Sequence, residues 1–191
     1  AAVPAKPATT APVASAAGKP AATAGIPVVL TRGTPPFSTA GAWEIRRGDA
    51  SVGGGCYAMT TYDPDIVLIF GFDLIRAAVY VDVGSQRLQP IDPAQSYAMQ
   101  IQFDKHKPWD ARAEVGLNER VKYLVMRFQG GGIWTEFMNA NEMSLHDPGK
   151  EEDEDVLRLN LSRSGAAGKE VIRCQNGVNP LGQQAAAGAE H

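Results

Sequence analysis

The chain has 191 residues, a net charge of −3 and two cysteines. Its first forty residues hold twelve alanines, seven prolines, three basic residues (Lys6, Lys19, Arg32) and no acid, so residues 41–191 carry −6. An acidic body lacks the basic patch that a phosphate backbone demands, which argues against nucleic acid, and no run of eighteen apolar residues is present to span a membrane.

Residues 1–40 read as an extended Ala/Pro-rich tail. Each X-Pro step disfavours helix at the preceding residue, and prolines at 4, 7, 12, 20, 27, 35 and 36 interrupt what the alanines would otherwise form. Ile26-Pro27-Val28-Val29-Leu30 is the one apolar run inside this tail. It is either a short strand leading into the fold or a segment that adds to a sheet edge, of its own body or of a partner. Ile26, Val28, Val29 and Leu30 are therefore candidate partner-binding residues. The chain opens on Ala1-Ala2 rather than on methionine. Together with the tail composition, that reads as an exported chain whose signal peptide has been removed, in the periplasm or outside the cell.

Residues 41–176 read as one β-rich domain. At about 135 residues it buries roughly two-thirds of its unfolded surface and needs no metal to fold. Trp43 and Ile45 alternate with polar neighbours. Cys56 to Thr61 follows the glycines at 53–55, and Tyr62 to Asp65 makes a turn. Ile66 to Phe70 is continuously apolar, as a strand covered on both faces would be. Gly71 marks a bulge or bend, and Leu74 to Val83 reads as the next strand. Tyr97, Met99, Ile101 and Phe103 alternate cleanly, Asp110 to Val115 more weakly, and Val121 to Phe128 repeats the pattern.

After the glycines at 130–132, Ile133, Trp134, Phe137 and Met138 share one helical face. Met143 and Leu145 resume as a strand, Glu151 to Asp155 forms an acidic exposed turn, and Leu157, Leu159 and Leu161 alternate. Ser164 is placed to cap a second helix with Ala167, Val171 and Cys174 on its buried side. Residues 177–191 read as a flexible C-terminal tail. Short strands with turn signals between them predict an antiparallel β-sandwich or barrel, mainly β with two short helices.

Cys56 and Cys174 lie 118 residues apart. In an oxidising compartment they would close nearly the whole domain into one loop, an effect on the order of 4 to 5 kcal/mol. The alternative is two buried thiols, which pack as small apolar side chains. Export favours the disulfide.

Catalytic signatures are sparse. His106 lies in Lys-His-Lys-Pro, where a bound cation would meet repulsion. His146 precedes the acids at 151–155, yet no calcium-loop pattern accompanies them, so they read as a solvated turn. Ser162-Arg163-Ser164-Gly165 lacks the order of a nucleophile elbow, and the glycine triplets lack the Lys-Ser/Thr of a phosphate loop. Trp43 and Trp134 sit on apolar-periodic elements and belong to the core. Trp109, after Pro108 in a polar loop, is the candidate exposed contact aromatic. No catalytic residue, metal or cofactor is called for.

The order of landmarks is Trp-x-Ile (43–45), Cys-Tyr-Ala-x-x-x-Tyr (56–62), Leu-Ile-Phe-Gly-Phe (68–72) and Tyr-x-x-x-Ile-x-Phe-Asp (97–104). The Trp134 to Met138 helix follows, then Leu-x-Leu-Ser-x-Ser-x-Ala-Ala ending in Cys174. Over residues 42–176 this resembles small exported β-rich proteins of Gram-negative bacteria and is distantly similar to the invasion-associated locus B proteins, which share an early tryptophan, cysteines and a late helix. The resemblance implies an exported β-rich domain and carries over no catalytic residue. The expected function is a non-enzymatic extracytoplasmic accessory or structural subunit. It would dock on other protein subunits of a large complex through its N-terminal tail. The alternative is a periplasmic ligand-binding or inhibitor module with a cleft near Trp109.

Overall fold

A computed structural model describes residues 35–48, 53–62, 66–88, 91–117, 122–149 and 155–178. The strands are β1 (Ser38–Ala40), β2 (Trp43–Arg47), β3 (Gly54–Tyr62), β4 (Ile66–Asp73), β5 (Ala78–Ser85), β6 (Ser96–Phe103), β7 (Trp109–Leu117), β8 (Lys122–Gln129), β9 (Glu142–His146) and β10 (Asp155–Asn160). The helices are α1 (Gly132–Asn139), between β8 and β9, and α2 (Ser164–Val178), after β10.

Among the described residues the ten strands form one antiparallel sheet in the order β1-β2-β3-β4-β5-β8-β7-β6-β9-β10. The chain is mainly β with two helices, as expected, and its strands make a single open sheet in which β1 and β10 are the edges. The first five strands run as a meander. The next three form a second meander, entered from its far side, so that β8 rather than β6 pairs with β5.

The sheet curls strongly. β3 and β10 stand seven places apart, about 34 Å if the sheet were flat. Yet the Tyr62 hydroxyl on β3 donates to the Asn160 carbonyl on β10 at 2.6 Å. Likewise Trp43 Nε1 on β2 donates to the Ser162 carbonyl, just past β10, at 3.0 Å. The inner face thereby encloses the main core. Alternate residues point inward: Leu68 and Phe70, Val81 and Val83, Leu124 and Met126, Ile101 and Phe103, Met143 and Leu145. Period-2 side-chain direction makes each of these rows continuous across the sheet.

Both helices pack on that inner side. Phe137 of α1 stacks on Phe70 at 4.1 Å between centroids, and Trp43 meets Phe137 edge-on at 5.4 Å. Ala167, Val171 and Cys174 of α2 are buried in the same cluster. Cys174 is bonded to Cys56 of β3, tying the last helix to the third strand. Ser38 of β1 adds a hydrogen bond of 2.7 Å to Glu170 of α2.

Four local expectations change. Leu74 to Val83 is not one strand: 74–77 is the turn between β4 and β5, leaving Leu74 46% and Ile75 69% exposed. Gly71 stays in register with Tyr57 and Tyr80, and the ladder irregularity lies between Gly54 and Tyr57. Ser164 is the first helical residue rather than the cap, and its hydroxyl donates to the Ala140 carbonyl at 3.3 Å. β1 falls within the stretch assigned to the tail, because Ser38–Ala40 pair with β2. Ile26 to Leu30, Val121, the acids at 151–154 and residues 179–191 lie outside the described residues.

Candidate functional site

The sheet's outer face is not uniformly polar. On β3, β4, β5 and β8 the outward residues Tyr57, Ile69, Tyr80, Tyr123 and Val125 form a second buried apolar cluster, with Met59 and Val67 against it. No residue of either helix belongs to this cluster. The register explains its assembly. Tyr80 lies between Gly71 and Arg127, Asp82 between Ile69 and Val125, and Gly84 between Val67 and Tyr123.

The two glycines make room for the rings. A Cβ on Gly71 would stand 2.8 Å from the Tyr80 hydroxyl, and one on Gly84 would run into the ring of Tyr123. The tyrosines therefore lie against the backbone of their neighbouring strands instead of projecting from the sheet.

Asp82 sits in the middle of this apolar cluster and is only 3% exposed. Its Oδ1 is buried without a hydrogen-bond partner. Burial pushes its carboxyl up to about 7, the nearby charge of Arg127 works against that rise, and Asp73 adds to it. Burial also pushes the Tyr80 hydroxyl well above the usual tyrosine range, and Asp82 adds to that.

A charged network flanks the cluster near the β4–β5 turn. Burial works against the Asp73 carboxylate. The Arg76 N–H and guanidinium, each at 2.9 Å, together with the charge of Arg127, nevertheless hold it below the usual range. Arg127 spans Asp73 at 3.4 Å and Glu114 of β7 at 3.1 Å. The two carboxylates on this face thus differ by environment: Asp73 has donors, and Asp82 has none at Oδ1.

A second feature lies on the outer face of β6, β9 and β10. Gln102, Asp104, Lys105, Glu142, Ser144 and Arg158 line a shallow polar groove. Ser144 Oγ and His146 Nε2 are 2.8 Å apart. Ser144 is 6% exposed and sits in mid-strand, without a strained turn to present its hydroxyl. Asp104 accepts the backbone N–H groups of Asn141 and Glu142, at 3.1 and 2.9 Å, and so serves the turn before β9. Arg158 pairs with Glu142 at 3.4 Å, and Lys105 and Asp104 add one charge of each sign, so the lining carries no net charge.

Trp109 opens β7 and is half-buried, not the exposed loop aromatic expected. Its indole N–H donates to Glu136 of α1 at 2.9 Å and its ring meets Phe128 edge-on at 6.3 Å. His106 Nδ1 stands 3.7 Å from the same Glu136 carboxylate. Trp43 and Trp134 are core residues, 1% and 5% exposed. Cys56 and Cys174 are paired as expected with export. Among the described residues no cluster of His, Cys, Asp and Glu is arranged to hold a metal ion, and no helix is long and apolar enough to cross a membrane.

The sequence reading missed Asp82. Its one signal was an acid inside Val79-Tyr80-Val81-Asp82-Val83, where a strand with one solvated face would carry several polar residues. No family model, curated protein or solved structure matches this chain.

Proposed function

We propose that this chain is a non-enzymatic, extracytoplasmic accessory or structural subunit that docks on a larger protein assembly through its N-terminal segment. The observation that carries this reading is where the segment joins the body. It enters at β1, a three-residue strand that stands at the edge of the sheet among the described residues, where strand addition is the natural mode of contact. The inner face is filled by side chains from the strands and both helices, which leaves the outer surfaces and the segment itself for recognition. The disulfide suits an oxidising compartment, in keeping with the resemblance to exported β-rich proteins.

The test is affinity capture from the native source with the full chain and with residues 1–34 deleted, a cut that spares β1 and its bond to α2. Association should be lost with the segment. Undiminished co-purification of the shortened chain would overturn the proposal.

A further inference from the structure

We propose that the rim of the sheet around the β4–β5 turn is a contact surface for an anionic lipid layer, with Leu74 and Ile75 as its inserting pair. This surface is separate from the N-terminal segment and goes beyond the docking proposal.

Ile75 is the most exposed large apolar side chain among the described residues, and Leu74 beside it is half exposed. The pair stands at the tip of a tight turn between two glycine stretches. Gly54 pairs with Asp73 on one side. On the other, Ala78 pairs with Gln129, which leads into Gly130 and Gly131. A Cβ on Gly54, Gly130 or Gly131 would meet nothing within 4 Å, so both flanks of the tip are open. The turn's backbone is also prepared for a poorly hydrated layer. The Leu74 N–H donates to the Gly53 carbonyl at 3.0 Å and the Arg76 N–H to Asp73 at 2.9 Å. Donors already satisfied within the protein cost little to move toward lipid.

The charges around the tip decide which surface it meets. Residues 41–191 carry −6, so an anionic layer repels the body as a whole. At this rim the exposed charge has the opposite sign. The Arg76 side chain is 40% exposed, whereas its partner Asp73 is 2% exposed. The Gly48 N–H bonds the Gly55 carbonyl, which sets the exposed Arg47 beside the first glycine stretch. On the far side Gly132 abuts the ring of Trp109, and the β6–β7 turn just before that residue carries Lys105 and Lys107, both exposed. The described acids of this turn and of α1 are drawn inward. Asp104 accepts the N–H groups of Asn141 and Glu142, and Glu136 accepts the Trp109 indole.

An aliphatic tip flanked by exposed cations supplies both parts of peripheral lipid binding, shallow apolar insertion and attraction to anionic headgroups. A protein partner fits less well. Two adjacent aliphatic side chains offer far less than the roughly 800 Å² per side of a stable interface. The tip also lacks the aromatic anchor that such interfaces favour.

The test uses the purified, oxidised full chain and vesicles of phosphatidylglycerol and phosphatidylethanolamine in a three-to-seven ratio. The chain should co-sediment with them, and at least about tenfold more weakly with phosphatidylcholine vesicles. Leu74→Asp combined with Ile75→Asp should weaken binding at least about tenfold. Leu117→Asp alters an exposed aliphatic at the opposite end of β7 and should bind as the parent does. Lys105→Glu combined with Lys107→Glu, in a different turn, should also weaken binding, so the outcome does not hang on the folding of one variant. A parent chain that ignores these vesicles overturns the proposal, as does equal binding by the parent and both double variants. If the Leu74/Ile75 variant instead loses a protein partner while the parent binds no vesicle, the tip belongs to a protein contact and the lipid assignment fails. The vesicle assay contains no partner, and deleting residues 1–34 leaves the rim in place, so the two proposals fail separately.

Discussion

On the outer face, Asp82 is buried at a cost. Its folded pKa, about 7, lies above its ordinary value of 3.8. An acid whose pKa is raised by folding imposes no penalty below its unfolded value. The penalty grows as pH climbs from the unfolded value to the folded one and is constant above it, because in that window the folded state resists ionisation that the unfolded chain undergoes freely. Stability should therefore fall between about pH 4 and pH 7, by a total on the order of 4 kcal/mol. Asp82→Asn keeps the shape and removes the charge. Urea denaturation should find it more stable than the parent at pH 8 and flatter across pH 4 to 8; an unchanged slope would place the titration elsewhere. Gly84 offers a steric counterpart. Gly84→Ala drives a methyl into the ring of Tyr123, itself 1% exposed, so thermal unfolding should show a loss of about 1 to 3 kcal/mol. A neutral result would mean that the ring has room to lift.

At the scale of elements, α2 is held to the sheet mainly by covalent and side-chain links. The disulfide joins it to β3, Gln175 accepts the Cys56 backbone N–H at 2.9 Å, and Glu170 binds Ser38. Cys174→Ala reopens a loop spanning 118 residues, and chemical denaturation should report a loss of about 2 to 5 kcal/mol. A change below about 1 kcal/mol would show that packing of Ala167 and Val171 alone secures the helix. The β4–β5 hairpin shows why one element was misread. Leu74 and Ile75 prolong an apolar run, so hydrophobicity alone continues the strand. Asp73 stops it locally by accepting the Arg76 N–H, a contact three residues on that turns the chain outward. Apolar residues at an exposed turn carry no periodic signal, and the boundary had to come from the hydrogen bond.

For the whole molecule, the decisive feature is a sheet with two buried faces in its centre and one in its wings. The inner face forms the enclosed core, and the outer face of the central strands carries a second buried apolar cluster. Under the docking proposal, deleting residues 1–34 abolishes capture by the partner. Full-chain capture compared with a Val29→Arg variant separates the possibilities: loss of capture places the anchor in the interface, and full retention moves the partner contact upstream of residue 26.

Much of the fold was legible because its cause is local. Alternation in Tyr97 to Phe103 marks β6, the i, i+1, i+4 spacing of Ile133, Trp134 and Phe137 marks α1, and the placement of Ala167, Val171 and Cys174 marks the buried side of α2. The change in composition near Trp43 likewise separates a segment too poor in large side chains to build a core from a body that can. What the chain could not disclose was pairing. Asp82 meets Ile69, thirteen residues before it, and Val125, forty-three residues after it, only because β8 rather than β6 lies beside β5. Side-chain direction along one strand follows from backbone geometry. The identity of the neighbour across the ladder follows from register and strand order, which are properties of the folded sheet. The second apolar face and its buried carboxyl arise at that level.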